Sequence, residues 1–195
     1  MQNLSDEQLM LNYQEGEALA MDEILRRYKN PIYRFALRLG SDTSEAEDIA
    51  QEVFLRIHEF RANYRVIGKF STWIFGIAHN LCISRLRKKK GLVFWPRKEN
   101  EPDELVEFES PCSSPQEEVS QNEFTGVLKK CIQSLPFLQK EALILCEYQK
   151  LGYQEIAKIL NKPLGTIKIL IYRARQNLKV KLLPYLKEVK GGYHE

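Results

Sequence analysis

Residues 152–168 read GYQEIAKILNKPLGTIK. Apolar residues recur at helical spacing on both sides of an Asn-Lys-Pro break, which predicts a helix, a tight turn and a second helix. Ala157 is small where the two helices would cross closely, and Asn161 suits the left-handed end of a helix. Leu164 is placed to pack under the turn. The stretch predicts a helix-turn-helix in the C-terminal half of the chain.

The helix after the turn has two faces. Its inward face carries Ile167, Leu170, Ile171, Ala174, Leu178 and Leu182. On the other side, one basic face is formed at positions i, i+4, i+7 and i+11 by Lys168, Tyr172, Arg175 and Lys179. Such a face fits the major groove of DNA and its phosphates. Helix-turn-helix geometry also occurs as plain helix packing, so the basic face is the feature that favours DNA.

The rest of the chain also has helical periodicity, without strand alternation. Helices are predicted at 5–14, 18–39, 44–60, from 70 past Arg85, at 121–135 and at 137–148. Two Ser-x-x-Gln/Glu capping boxes, Ser5 with Gln8 and Ser44 with Glu47, would open the first and third helices, and Gly40 would end the second. The predicted fold class is all-α, with two small helical domains.

A flexible acidic linker is predicted between the domains, at 91–120. It contains four prolines, at 96, 102, 111 and 115, and eight acidic residues from Glu99 to Glu118 with no Lys or Arg among them. The predicted boundaries are 1–90 for the first domain, 121–190 for the second and 191–195 for a tail. Basic clusters flank the linker on both sides, which raises the expectation of a polyanionic partner.

The composition limits the classes of protein to which the chain can belong. The 195 residues are 44% hydrophobic and 28% charged, with a net charge of +3. No apolar run approaches the 20 or so residues that span a bilayer, and the start resembles no secretory signal. Four widely spaced cysteines include no Cys-x-x-Cys pair. We expect a cytoplasmic protein with reduced thiols, no metal site and no cofactor.

The third predicted helix carries a polar stripe beside its apolar face. The apolar face consists of Ala46, Ile49, Ala50, Val53, Ile57 and Phe60. The stripe consists of Asp48, Gln51, Glu52 and Leu55, at i, i+3, i+4 and i+7. Pattern alone favours a solvated acidic face with one exposed leucine over a docking stripe for another protein's basic surface.

A Gly-containing loop from Arg65 to Lys69 leads into a helix that is aromatic at its start and basic at its end. Phe70, Trp73 and Phe75 are ordinary core aromatics by their type. Followed by Asn80 and a basic run, they could instead border a surface that holds unstacked bases, because aromatic faces stack on bases and Asn and Arg read base edges. Both interpretations stay open on the pattern.

Five motifs now stand in order: EAEDIAQEVFLR at 45–56, FSTWIFGIAHN at 70–80, EIA at 155–157, GTIK at 165–168 and RAR at 173–175. In this order and spacing the chain resembles the bacterial sigma-70 family, specifically its small two-domain extracytoplasmic-function (ECF) group. The resemblance covers nearly the whole chain except the linker and the last few residues.

The resemblance implies roles for these residues. Asp48, Gln51 and Glu52, with exposed Leu55, would dock on the clamp of the largest subunit of core RNA polymerase, which reverses the preference for a solvated face. The minus-ten promoter element would be recognised and melted by Arg65, Lys69, Trp73, Asn80, Ser84, Arg85, Arg87 and Lys88. The minus-thirty-five element would be read by Thr166, Lys168, Ile169, Tyr172, Arg173, Arg175 and Lys179.

The resemblance also implies partners. They are core polymerase (including the flap of its second-largest subunit), promoter DNA, and an anti-sigma factor or other recruiting protein, without insertion into a membrane. Such proteins are not enzymes, since the chemistry belongs to the polymerase.

Four positions depart from the family pattern. Ile169 and Leu170 stand where Ser-Arg is frequent, Ser84 where Asp is usual and Lys140 where Arg is usual. One expected DNA-contacting arginine is therefore missing, and Ile169 could instead touch a thymine methyl. These departures concern the promoter sequence rather than the class.

Two other functions compete. A helix-turn-helix regulator acting without polymerase explains the C-terminal half, but not the polar stripe or the Trp73 helix. A DNA-processing enzyme could use Glu45, Glu47, Asp48 and Glu52 to bind Mg²⁺. The start of a helix favours acidic residues in any case, and no Ser, Tyr or His has matching catalytic partners.

Overall fold

The computed structural model describes residues 3–89 and 123–191. The predicted linker at 91–120 lies outside these residues, as does the predicted tail beyond Gly191. Within the described ranges the chain forms helices and one 3-10 turn, without strands, which confirms the predicted all-α class. The helices are α1 Asp6–Gln14, α2 Ala18–Leu39, α3 Thr43–Phe60, α4 Phe70–Lys89, α5 Glu123–Gln133, α6 Phe137–Glu147, α7 Tyr153–Leu160 and α8 Leu164–Gly191.

Several helix ends follow the sequence predictions. Ser5 and Gln8 form the predicted capping box of α1, each side chain bonding to the other's backbone N–H. Gly40 ends α2 with φ of 113°, and Asn161 ends α7 with φ of 50°, both in the left-handed region. Pro31 lies inside α2, and the helix continues through it.

Three local predictions are wrong. Asp42 rather than Ser44 caps α3: its Oδ1 accepts the Glu45 N–H at 2.8 Å, so the helix begins earlier than the capping box indicated. Phe60 is exposed at the end of α3, where the chain turns away, and Phe54 is buried instead. Leu164 is exposed, because α8 begins at that residue and its first buried side chain is Ile167.

The first half, residues 3–89, is a bundle in which α2 lies against α1 and α3, and α4 closes over α2 and α3. A polar cluster fixes α1 to this bundle. Asp6 accepts from Arg27 at 2.7 Å and from the Tyr28 hydroxyl at 2.6 Å. Glu7 Oε1 accepts the N–H of Phe70, the first residue of α4, at 2.8 Å, and this bond lowers the pKa of the carboxyl. The N-terminal helix therefore helps to position the start of α4.

The second half, residues 123–191, is built around α6, which α8 covers on one side. On α6, helical spacing in the sequence predicts an inward face of Leu138, Ala142, Leu145 and Cys146. The structure instead buries α6 nearly all round, including Lys140 and Glu141. The cause lies in the first half of the chain, because α2 packs against α6 and α4 packs against α7. Most buried apolar side chains of both halves join in one core, and Leu135, Leu143 and Ala174 form a second, smaller cluster.

Candidate nucleic-acid interface

The polar stripe on α3 faces solvent, as the predicted docking role needs. Asp48 and Gln51 are exposed, and Leu55 keeps 60% of its surface accessible. Glu52 is half-buried and pairs with Arg56 one turn on, at 3.1 Å. An exposed leucine framed by acidic and amide groups can bind a surface that is both apolar and basic.

Ion pairs tie the start of α3 to the basic end of α4. Asp48 Oδ2 lies 3.3 Å from Arg85 Nη1. Lys89 Nζ lies 2.8 Å from Glu45 Oε2 and 3.1 Å from Asp42 Oδ2, and these two bonds raise the pKa of the lysine. Acidic groups at a helix start and basic groups at a helix end also suit the two helix dipoles. The docking stripe and the basic end of α4 are therefore in direct contact.

One face of α4 gathers most of the residues predicted for the minus-ten element. Lys69, Trp73, Asn80, Ser84 and Arg87 are separated by 4, 7, 4 and 3 residues, so they fall on one side of the helix. All but Trp73 are exposed, as is Lys88, and Arg65 is exposed in the preceding loop. The arrangement places an aromatic ring, an amide and cations along one line, which suits a nucleic-acid strand.

Of the three aromatics proposed to border a base-binding surface, two are core residues. Phe70 and Phe75 are buried. Trp73 is half-buried, with its ring centroid 5.0 Å from that of Tyr64 and 5.6 Å from that of Phe70. The sequence interpretation did not single out Tyr64, whose burial raises the pKa of its hydroxyl to about 12. Tyr64 and Phe70 pack against the indole of Trp73 and fix its position.

The loop before α4 presents apolar side chains to solvent. Val66 is exposed, and Ile67 is 87% accessible, between the cations Arg65 and Lys69. Sequence reasoning predicted the loop but overlooked Ile67. The available signal was a Val-Ile pair beside Gly68 that fits no helical spacing. An apolar tip framed by cations is suited to contact bases while the cations hold phosphates.

The outer face of α8 is exposed as predicted, but one of its cations is held in an ion pair. Lys168, Ile169, Tyr172, Arg173 and Lys179 are exposed, Thr166 is half-buried, and Leu170 is buried. Arg175 is exposed but engaged: its Nη2 lies 2.6 Å from Glu147 Oε1 on α6, and this bond raises the pKa of the guanidinium. The face therefore offers Ile169 and Tyr172 among the exposed cations Lys168, Arg173 and Lys179, while Arg175 is paired with α6.

The rival Mg²⁺ site lacks suitable geometry. Glu45 pairs with Lys89, Asp48 with Arg85 and Glu52 with Arg56, so three of its carboxylates are directed to separate cations. Within residues 3–89 and 123–191 no three metal-ligating side chains are grouped. In the same ranges the cysteines are free thiols, and no helix is long and apolar enough to cross a bilayer.

Two protein-family models match the chain. Sigma-70 region 2 matches residues 24–91, and Sigma-70, region 4 matches residues 125–178. Among curated proteins, the RNA polymerase sigma-H factor of Pseudomonas aeruginosa is 31% identical over 94% of this chain and 96% of its own length. The ECF RNA polymerase sigma factor SigW of Bacillus subtilis is 33% identical over 86% of this chain and 91% of its own.

Two solved structures have a similar fold. One is the sigma factor RpoE in complex with the anti-sigma factor NepR from Bartonella quintana, with a TM-score of 0.62, 23% identity, and 83% of this chain and 95% of that chain covered. The other is CnrH in complex with the cytosolic domain of CnrY, with a TM-score of 0.62, 17% identity, and 91% and 96% covered. The helical arrangement described above thus recurs in those proteins.

Proposed function

This chain belongs to the sigma-70 family of RNA polymerase sigma factors, in its ECF group, and we propose that it directs bacterial core RNA polymerase to a specific set of promoters. The observation that carries the proposal is that one chain matches both sigma regions and exposes a polar stripe on α3 and basic faces on α4 and α8. A helix-turn-helix regulator acting alone would need only α7 and α8. The chemistry of RNA synthesis would belong to the polymerase, in the cytoplasm, and this chain would not be an enzyme.

The stripe on α3 would dock on the polymerase clamp. Asp48 and Gln51 would meet basic and polar groups, while Leu55 would bury its exposed surface. Since Asp48 also contacts Arg85, docking and the basic end of α4 would share one carboxylate. The site therefore couples polymerase binding to the position of a minus-ten residue.

The loop at Arg65–Lys69 and the outer face of α4 would recognise and melt the minus-ten element. Asn80, Ser84 and Arg87 stand where they can hydrogen-bond base edges or phosphates. Trp73 offers a partly exposed ring on which an unstacked base can lie. Extruding a base costs a few kcal/mol, so such a platform helps most once the duplex has opened.

The helix α8 would read the minus-thirty-five element from the major groove. Lys168, Arg173 and Lys179 would contact phosphates, and Ile169 would lie against a thymine methyl. Tyr172 adds an exposed hydroxyl at the centre of that face. An anti-sigma factor or recruiting protein is a further proposed partner, since one of the similar structures named above is a complex with an anti-sigma factor.

Transcription in a purified system tests the proposal. Core polymerase with and without this protein would be incubated with a library of promoter fragments, and abortive and run-off products sequenced. We expect promoter-specific transcripts only when the protein is present. If polymerase from the native host neither binds the protein nor initiates with it, the sigma function is wrong. DNA binding without polymerase dependence would favour the regulator.

A further inference from the structure

A polar cleft lies between α2 and the end of α6. Its volume is about 270 Å³, and it is lined by Asn30, Pro31, Arg34, Arg38, Tyr148 and Gln149. The first four residues belong to α2, and the last two come directly after α6. We call it the α2–α6 cleft. None of its residues takes part in the contacts proposed above with polymerase or promoter DNA.

The α2 wall of the cleft is one row of polar side chains. Asn30, Arg34 and Arg38 are spaced four residues apart, so they lie one above the other on the same face of the helix. The row is continuous because α2 runs through Pro31 without ending. Like charges four residues apart destabilise a helix slightly, so helix stability does not explain the two arginines.

No carboxylate of the described residues neutralises these arginines. Neither Arg34 nor Arg38 forms an ion pair within residues 3–89 and 123–191. The helix α2 contains no Asp or Glu after Glu23. At the end of α6, Glu147 is bonded to Arg175 on α8 instead. The cleft therefore concentrates positive charge in a concave site, which favours an anionic ligand.

Arg38 is held in place by an aromatic ring. Its guanidinium carbon lies 3.9 Å from the centroid of the Tyr148 ring. A guanidinium stacked on a ring keeps its N–H groups in its own plane, so they can still donate at its edges. Arg38 is half-buried, and Tyr148 keeps 38% of its surface accessible. The cation is thus fixed in orientation while its donors stay available to a ligand.

The second wall depends on a tight turn after α6. The N–H of Gln149 bonds to the carbonyl of Ile144 at 3.3 Å, which folds the turn back on the helix. Lys150 then has φ of 56°, in the left-handed region that few residues other than glycine adopt. Such conformations persist where the surrounding structure imposes them. The turn keeps Tyr148 and Gln149 at the cleft, opposite the arginines.

We propose that the α2–α6 cleft binds a phosphate monoester of a small polyhydroxylated compound. Arg34 and Arg38 can each donate two N–H groups to the oxygens of one tetrahedral phosphate, a bidentate geometry that is strong and specific. The side-chain amides of Asn30 and Gln149 both donate and accept, so they can bond to hydroxyl groups of the same ligand. The inference goes beyond the proposed sigma function and does not depend on it.

The volume of the cleft limits the size of this ligand. Pockets that bury a drug-sized molecule usually measure about 300 to 1,000 Å³. The 270 Å³ of this cleft correspond to about nine water molecules at roughly 30 Å³ each. A sugar phosphate has a suitable size, whereas a much larger molecule would extend out of the site.

Isothermal titration calorimetry of the full chain at constant ionic strength tests the proposal. Ribose 5-phosphate is the probe, and inorganic phosphate and ribose are the comparisons. We expect ribose 5-phosphate to bind, inorganic phosphate to bind more weakly and ribose not to bind. Arg34→Gln and Arg38→Gln should each weaken binding by about tenfold or more, because each removes charged hydrogen-bond donors.

Lys29→Gln is the matched control for the two arginine variants. Lys29 is exposed on the same helix and carries the same charge, but it does not line the cleft. We expect its removal to change binding by less than about twofold, because solvent and salt screen a charge outside the site. Circular dichroism shows whether each variant stays helical.

Tyr148 provides a separate test of how Arg38 is positioned. Tyr148→Leu removes the ring on which the guanidinium is stacked, and should weaken binding by about fivefold. Tyr148→Phe keeps the ring and should bind as wild type does. Equal weakening in these two variants would show that the hydroxyl, rather than the stacked ring, matters, and would contradict the positioning role.

Three results would overturn the proposed site. The first is a dissociation constant for ribose 5-phosphate weaker than about 10 mM in the wild-type chain. The second is equal weakening by Lys29→Gln and Arg38→Gln, since overall charge alone would then attract the anion. The third is equal affinity for ribose 5-phosphate and inorganic phosphate, since the ester would then not be recognised. Each leaves the sigma function intact, because the titrations contain no polymerase.

Discussion

The basic end of α4 and the outer face of α8 have similar composition but different electrostatic settings. On α4, Arg85 and Lys89 are held by acidic groups at the start of α3. On α8, Arg175 alone is held, by Glu147, and the other cations of the face have no ion-pair partner within the described ranges. If both surfaces bind DNA as proposed, we expect the first to be positioned before it meets DNA and the second to be ordered by the contact.

The two carboxylates in these ion pairs, Asp48 and Glu147, also differ in the other roles proposed for them. Asp48 is both the partner of Arg85 and a proposed docking residue, whereas Glu147 lies on α6 and has no proposed partner beyond Arg175. Removing the acid of the Asp48–Arg85 pair should therefore lower function, whereas removing the acid of the Glu147–Arg175 pair should raise affinity for DNA. These two pairs offer the most direct tests of the comparison.

The largest effect is expected from Asp48→Arg. The change places a second cation beside Arg85 and reverses the charge offered to the polymerase clamp. We expect binding to core polymerase to fall by at least about a hundredfold, since like charges across an interface cost several kcal/mol. Fluorescence anisotropy with purified core polymerase measures this loss.

Two controls accompany Asp48→Arg. Asp22→Arg makes the same charge change at an exposed position on α2, away from α3, and should bind nearly as wild type does. Arg85→Ala breaks the ion pair but leaves the stripe intact, so it should spare polymerase binding and weaken only promoter binding. Equal losses in Asp48→Arg and Asp22→Arg would contradict a docking role for the stripe.

A smaller effect is expected on α8 from Lys168→Ala. Loss of one phosphate contact should weaken minus-thirty-five binding about equally for all sequences and reduce the slope of log affinity against log salt by about 0.9. Binding titrations of holoenzyme on promoter DNA at several salt concentrations give the slope. Lys129→Ala on α5 is the matched control, and an unchanged slope in Lys168→Ala would remove this residue from the DNA surface.

A few-fold gain is expected from Glu147→Gln. The change frees Arg175 for phosphate contact, and exposed ion pairs are worth only about 0.2 to 1 kcal/mol, so affinity for minus-thirty-five DNA should rise by about fivefold at most. Asp48→Asn frees Arg85 in the same way but should lower transcription, because it also alters the docking stripe. Gains from both variants would show that Asp48 serves only as a partner of Arg85.

Much of this organisation could be predicted from the sequence, because the signals that specify it lie within short stretches of the chain. Helical spacing, Gly40, Asn161 and the Ser5 capping box act over a few residues, so they are visible without knowledge of the fold. The exposed stripe of α3 and the exposed basic face of α8 follow from the same periodicity. The family resemblance then supplied roles that no spacing could supply.

What could not be predicted depends on contacts between distant parts of the chain. Helical spacing on α6 did not predict that Lys140 and Glu141 are buried. Both are fully buried because α2 and α4 cover them. Phe54 is buried and Phe60 exposed for a similar reason, since the direction of the chain after α3 decides which end of the helix is covered. The pairing of Arg175 with Glu147 also joins residues 28 apart.

The smallest effect concerns acid stability, which should differ between the halves. Arg26 and Arg27 lower the pKa of Glu23 to about 2 from an ordinary 4.5. Because the folded-state pKa is depressed, this contribution is complete above pH 4.5 and is lost as the pH falls toward 2. The bonds that lower the pKa values of Glu7 and Asp42 act in the same direction, so three carboxylates of the first half respond.

Urea unfolding followed by Trp73 fluorescence in a Trp95→Phe background checks this at pH 7 and pH 3. Wild type should lose more stability between the two values than Glu23→Gln, which has no proton to gain at that position. An equal loss in both proteins would mean that the Arg26–Glu23–Arg27 cluster contributes nothing to the folded state.

The bond between Glu7 and Phe70 has a consequence for the order in which the chain can mature. The two residues are 63 positions apart, and ribosomes add about 5 to 20 residues per second. Phe70 is therefore synthesised roughly 3 to 13 s after Glu7, and their hydrogen bond cannot form earlier. During that interval the carboxylate has no helix start to bind. The loop at 65–69 and α4 can therefore acquire their final position against α1 only after most of the first half has been synthesised.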